Sequence, residues 1–295
     1  MKVAVLYPGM PRVNQERLHN HRQHLLDRYD CDVYISTYDN NDIDRQKERG
    51  GGECQALAQG TEQDFIKYYN PFALEVESEK VLKQMVMEPL WQLLGSKGVT
   101  CPNGIPPLIG LMQLYKIYRC YAMILEAGRN YDVVIRTRFD TLFETTVPLV
   151  VNDCLNIPYG ADWCGGIYDH LAFGNMSVMR AYCGLYETLQ KHPDKFPVLH
   201  GEQMVRWNAQ LHGLQVKRFG LRVFLRSMDW WFNHWAELPS FETLDDDAQR
   251  GIVKDFKLIV AGKGTFYYSG PLGADRRDVS NYTTNAPHPL PWPVH

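Results

Sequence analysis

No stretch of this 295-residue chain approaches the ~20 consecutive apolar residues that a membrane-spanning helix needs. There is no G-x-G-x-x-G turn and no G-x-x-x-x-G-K-[ST] loop, which argues against a dinucleotide-binding dehydrogenase and a P-loop ATPase. Neither sign of charge dominates. Lys and Arg number 31, Asp and Glu 34, and the net charge of -3 offers no general attraction to nucleic acid or to an anionic membrane surface. Anion binding, if present, must be local. The seven cysteines (31, 54, 101, 120, 154, 164, 183) include no C-x-x-C pair, and such an odd, scattered set reads as reduced, mostly buried thiols in a reducing compartment. The apolar run in Met1 to Pro8 is too short for a signal peptide, so a cytoplasmic location is expected and the sequons at Asn175 and Asn281 carry little weight. There is also no internal repeat, no heptad run and no linker clear enough to split the chain.

What is present is a chain rich enough to bury a core, with 45% hydrophobic and 12% aromatic residues. Strand and helix signals alternate through its first part. Lys2–Tyr7, Asp32–Thr37, Ala73–Glu77 and 132–137 read as strands. Asn14–Arg28, Ser78–Leu94 and Pro106–Ala127 read as helices, and the polar, Gly-rich stretch 39–60 as a surface loop. The alternation predicts an α/β fold with a mostly parallel sheet and helices on both faces. The second part is mixed. Asp162–Tyr168 is expected to be a strand, Asn175–Gln190 and Gly201–His212 helices, and Leu214–Arg218 with Arg222–Leu225 a pair of short strands. The tail from Pro271 to His295 is rich in Pro and polar residues.

The strongest chemical signal is Val133-Val134-Ile135-Arg136-Thr137-Arg138-Phe139-Asp140, an apolar strand that ends in two arginines and a carboxylate. Strand tips in open α/β sheets are where ligands sit. Two guanidiniums beside one carboxylate suit a phosphorylated ligand, with or without a divalent cation at Asp140; a solvated ion pair is the plain alternative. Tyr7-Pro8-Gly9-Met10-Pro11-Arg12 follows the first strand. Gly9 lets backbone approach a ligand and Arg12 adds a charged fork, although a simple Pro/Gly turn explains it as well. Ser36-Thr37-Tyr38-Asp39 places hydroxyls and a ring at the second strand's tip, suited to a nucleobase and ribose or to an ordinary loop exit. Asp169 precedes a helical start and Glu202 opens the helix 201–212; each is a candidate general base or a residue of the helix start. The aromatic segment Trp230-Trp231-Phe232-Asn233-His234-Trp235 reads as an acceptor wall or as core, with His234 a weaker candidate metal or phosphate ligand.

In order and spacing, five segments resemble a group of nucleotide-sugar glycosyltransferases found in bacteria and large DNA viruses. They are Val3–Arg12, Asp32–Thr37, Met112–Cys120, Tyr131–Asp140 and Asp169–Met179 with Glu202 after it, and they cover about residues 1–215. The resemblance implies a GT-A-like, Rossmann-type fold in one domain spanning 1–295. Residues 1–140 would be the nucleotide-binding half, 141–240 the acceptor and catalytic half, and 241–295 a C-terminal extension. It implies transfer of a hexose or pentose from a UDP- or GDP-type sugar nucleotide to a hydroxyl of a glycan acceptor. Pro8, Gly9, Arg12, Thr37, Tyr38, Lys116, Arg136 and Arg138 would hold the donor, and Asp169 or Glu202 would activate the acceptor if the reaction inverts. Asp140, with His234, would hold Mn2+ or Mg2+. Such enzymes commonly use D-x-D; here the triplet is Arg138-Phe139-Asp140, so cationic side chains stand where the first carboxylate would be. A sugar-1-phosphate nucleotidyltransferase would need a longer Gly-rich loop. A catalytically weak or inactive glycan- or nucleotide-binding scaffold of the same fold would fit the missing carboxylate.

Overall fold

The structure, a computed structural model, describes residues 1–11, 15–39, 62–101, 106–159, 166–221 and 223–225, with the backbone of 266–268 and 275–277. Its first strand, β1 (Lys2–Pro8), is buried from Val3 onward. Val3, Val5 and Tyr7 enter one core while Ala4 and Leu6 enter another. A strand covered on both faces reads as a continuous apolar run, and this one does. β2 (Asp30–Tyr38), β3 (Ala73–Glu77) and β4 (Val133–Arg136) join it in parallel, with Val5 opposite both Val33 and Ile135. β5 (Thr141–Phe143), β6 (Leu155–Pro158), β7 (Ala172–Gly174), β8 (Val216–Phe219) and β9 (Val223–Leu225) follow. The large sheet has seven strands in the order β3-β2-β1-β4-β7-β6-β8. Only β7 breaks the direction, antiparallel to both β4 and β6. β5 and β9 form a separate antiparallel ribbon, and β10 (Phe266–Tyr268) pairs with β11 (Asp275–Arg277).

One face of the sheet is covered by α1 (Gln15–His21), which runs on into a wider π-helical turn at Arg22–Leu26, and by α2 (Glu62–Tyr69). The other is covered by α3 (Glu79–Leu82, with a π-helical turn at Lys83–Met87), α4 (Glu88–Ser96), α5 (Pro107–Glu126), α6 (Met176–Cys183), α7 (Leu185–Lys191) and α8 (Gly201–Leu211). The mostly parallel sheet with helices on both faces matches the expected α/β class. Among the described residues no helix is long and apolar enough to cross a membrane.

Two expectations are corrected. Residues 166–168 form no strand, because the Ile167 N–H donates to the Glu202 carbonyl (2.9 Å) at the start of α8 instead of to a neighbouring strand. The helix expected over Asn175–Gln190 is two, α6 and α7, joined at Gly184. An added Cβ there would lie 2.8 Å from the Arg180 carbonyl oxygen. The two short strands expected near 214–218 and 222–225 are present as β8 and β9, of which β8 joins β6 and β9 joins β5. The short β5, β6 and β7, and α2, carried no sequence signal that was recognised. Residues 40–60 of the expected loop lie outside the described residues, as do Asp162 to Gly165 and most of the tail.

Candidate functional site

The strand order reverses beside β1, since β2 lies on one side of it and β4 on the other. Ligands in open α/β sheets bind outside the carboxyl ends of strands at such a switch point. Antiparallel β7 adds its amino end to the same edge, with Arg136 opposite Ala172. The segment leading into β7, Tyr168-Asp169-His170, is thereby brought beside the Arg136–Asp140 tip of β4.

At the tip of β1, Gly9 has φ +95°, in the left-handed region that favours glycine. Its N–H donates to the Ser36 carbonyl (2.9 Å), and the Thr37 hydroxyl donates to the Gly9 carbonyl (2.8 Å). Thr37 is therefore engaged in holding two strand tips together. Tyr38 is buried; its hydroxyl donates to the Met112 carbonyl (3.0 Å), and its ring lies 4.8 Å from Lys116 Nζ. Lys116 is 0% exposed and pairs with Glu77 at 2.6 Å and Glu75 at 3.8 Å. Thr37, Tyr38 and Lys116 thus belong to the packing of β2, β3 and α5, away from the cavity described below. Arg12, His234 and the Trp230–Trp235 segment lie outside the described residues.

Arg138, Asp169 and Glu202 are brought together. With Gln113, His170, Tyr182 and His200 they line a cavity of about 210 Å³ between α5, α6 and the start of α8. Arg138 grips Asp140 with two parallel hydrogen bonds, Nε to Oδ1 at 2.7 Å and Nη2 to Oδ2 at 2.8 Å. Burial disfavours the Arg138 cation, but the Asp140 carboxylate more than offsets this and holds its pKa well above the ordinary value. Asp169 accepts from Gln113 Nε2 (2.9 Å) and lies 3.3 Å from His170 Nε2. Burial pushes the Asp169 carboxyl up. His170, Arg136, Arg138 and the Gln113 hydrogen bond together outweigh it, so its pKa falls below the usual carboxylate value. Burial pushes His170 down to about 4, against the pull of Asp169. His170 is therefore neutral at neutral pH, where the two guanidiniums keep Asp169 ionised. His200 is also pushed down by burial, and its Nδ1 lies 3.2 Å from Glu202 Oε2.

Arg136 is not part of the cavity wall. It is 1% exposed, and Nε and Nη1 have no hydrogen-bond partner. The charge it presents to Asp169 is its visible contribution to the site. Cys183 also lines the cavity, but burial raises its thiol far from the reactive range. Gly166 allows the close crossing with α8: an added Cβ would run into the Glu202 backbone.

Asp140 does not fit a resident metal. Both of its oxygens are held by Arg138, and a divalent cation there would meet that guanidinium. No group of three His, Cys, Asp or Glu side chains suited to a metal occurs among the described residues.

Sequence reasoning missed Gln113, Tyr182 and His200 as site residues. A signal for Gln113 was present. In the apolar α5, the polar residues Gln113, Lys116 and Arg119 recur at every third position, and each binds a carboxylate: Asp169, Glu77 and Glu75. Compared with protein-family models and with curated proteins, the chain matches none.

Proposed function

We propose that the protein is a glycosyltransferase of GT-A-like fold, moving a sugar from a nucleoside-diphosphate sugar to a hydroxyl of a glycan acceptor. The observation that carries this reading is one meeting of charges. An ionised, buried Asp169 lines a cavity beside Arg138, at the carboxyl edge of the sheet and next to its switch point. Inverting glycosyl transfer needs a base for the acceptor hydroxyl and positive charge for the departing diphosphate. Asp169 is kept charged by fixed guanidiniums and oriented by Gln113, so it accepts the proton as the acceptor oxygen attacks the sugar carbon. The bond from that carbon to the diphosphate oxygen breaks, and Arg138 stabilises the charge gathered on the diphosphate. Arg136 acts through Asp169, as a buried charge that keeps the carboxylate ionised. The Arg138–Asp140 pair supports a reaction in which no step passes through a metal.

The test is to incubate purified protein with a panel of UDP- and GDP-sugars, in one arm with Mn2+ and in the other with a chelator. Donor consumption in either arm supports the reading. Neither binding nor consumption in both arms sinks it.

A further inference from the structure

Buried polar atoms without partners are uncommon, and each calls for an explanation. Tyr182 Oη and His170 Nδ1 are both buried, both lack a hydrogen-bond partner, and both belong to side chains that line this cavity. A phenol hydroxyl both donates and accepts, and so does a neutral imidazole, one nitrogen in each sense. Their natural complement offers donors and acceptors together, as hydroxyl groups do; a phosphate offers mainly acceptors. Charge points the same way. The wall holds one guanidinium, Arg138, already committed to Asp140, against the carboxylates of Asp169 and Glu202. A diphosphate in this space would add negative charge where cations are already outnumbered. A neutral ligand adds none.

The rest of the wall is aliphatic, including Ile117, Leu185, Leu199, Met204 and Val205. At about 210 Å³ the cavity is smaller than the ~300–1,000 Å³ typical of a drug-sized ligand. It suits one compact group with a hydroxylated side and an apolar side. We propose that this cavity binds a single neutral sugar ring bearing an apolar substituent, the methyl of a 6-deoxy sugar or of an N-acetyl group. This deepens the glycosyltransferase reading and rests on it for the choice of a sugar among neutral hydroxylated ligands. The diphosphate then lies at the edge of the cavity beside Arg138, not within it.

Saturation-transfer NMR and titration on the full chain test this with paired probes: methyl fucoside against methyl galactoside, methyl rhamnoside against methyl mannoside, and N-acetylglucosamine against glucose. The expected result is that at least one methyl-bearing partner binds about tenfold tighter or more, the discrimination a methyl-sized contact gives in an apolar pocket. Its methyl protons take the strongest saturation. Tyr182→Phe weakens that sugar about tenfold yet leaves thermal stability equal or higher, because the removed hydroxyl has no partner in the free protein. The proposal is overturned if no probe binds, if each pair binds equally, if inorganic diphosphate displaces the sugar, or if Tyr182→Phe leaves sugar affinity unchanged. Because no nucleotide is present, the two readings fail separately. Sugar binding without any donor consumption removes the glycosyltransferase and keeps the subsite; donor consumption with no sugar preference does the reverse.

Discussion

Asp169 and Arg136 are opposite charges buried at 7% and 1% exposure, and Arg136 is one of the charges, with Arg138, that favour the ionised Asp169 carboxyl. Removing a buried charge leaves its opposite neighbours uncompensated, which costs about 3–5 kcal/mol. Asp169→Asn is therefore expected to lower unfolding free energy by about that amount, read from a urea midpoint. Adding Arg136→Met should recover a substantial part, since coupled groups depart from additivity. Strict additivity of the two changes would show that the charges do not communicate. In the transfer assay Asp169→Asn should cost roughly 10²–10⁴-fold, the range for losing a general base. Glu202→Gln should cost less than about tenfold. A reversed ranking would move the base to Glu202.

Among the elements, the junction between residues 166–170 and α8 places Asp169 against Glu202 and His200. Gly166 permits it by leaving no Cβ to strike the Glu202 backbone. Gly166→Ala is expected to cost about 1–3 kcal/mol through overpacking and to weaken ligand binding with it; an unchanged thermal midpoint would show that the crossing has room for a methyl group. At the far end of β7, Asn175 caps α6: its Oδ1 accepts from the Val178 N–H (2.9 Å) and its Nδ2 donates to Asp153 (2.6 Å). Asn175→Ala should cost about 1 kcal/mol, measured by thermal or urea unfolding, as N-cap losses do. Elements of this size mark where sequence reading stops. β7 is only Ala172-Phe173-Gly174, too short to display a period, and its strand conformation comes from the neighbours β4 and β6. Gly184 looks like any helix-interior glycine until the Arg180 carbonyl is placed against it.

At the scale of the whole molecule, acid stability ties both cores together. Burial lowers His21 to about 4 on the α1 side of the sheet and His170 to about 4 on the α5 side. Both unfold to an ordinary value near 6.5. Between those limits the unfolded chain binds more protons than the folded one. Stability is therefore complete above pH about 6.5 and is lost as pH falls toward about 4, on the order of 3 kcal/mol for each group. Asp169, lowered instead from a carboxylate value, extends the loss below that window. Urea midpoints measured from pH 7 to pH 4 should fall steadily; a flat profile down to pH 5 would mean that neither histidine is buried neutral. The sequence alone carries the parallel half of the sheet and the long helix α5, because a buried strand such as Val3–Tyr7 and a 20-residue helix announce themselves through local apolar pattern. It also singled out Arg138 and Asp140 at the strand tip, and Asp169 and Glu202 beyond it. Tertiary structure alone decided that Arg138 turns back onto Asp140, that Lys116 pairs with Glu77, and that Tyr182 and His200 join Asp169 around one cavity. Local periodicity reports which residues are buried. Which partner a buried charge meets depends on segments distant in sequence, and no local pattern encodes that.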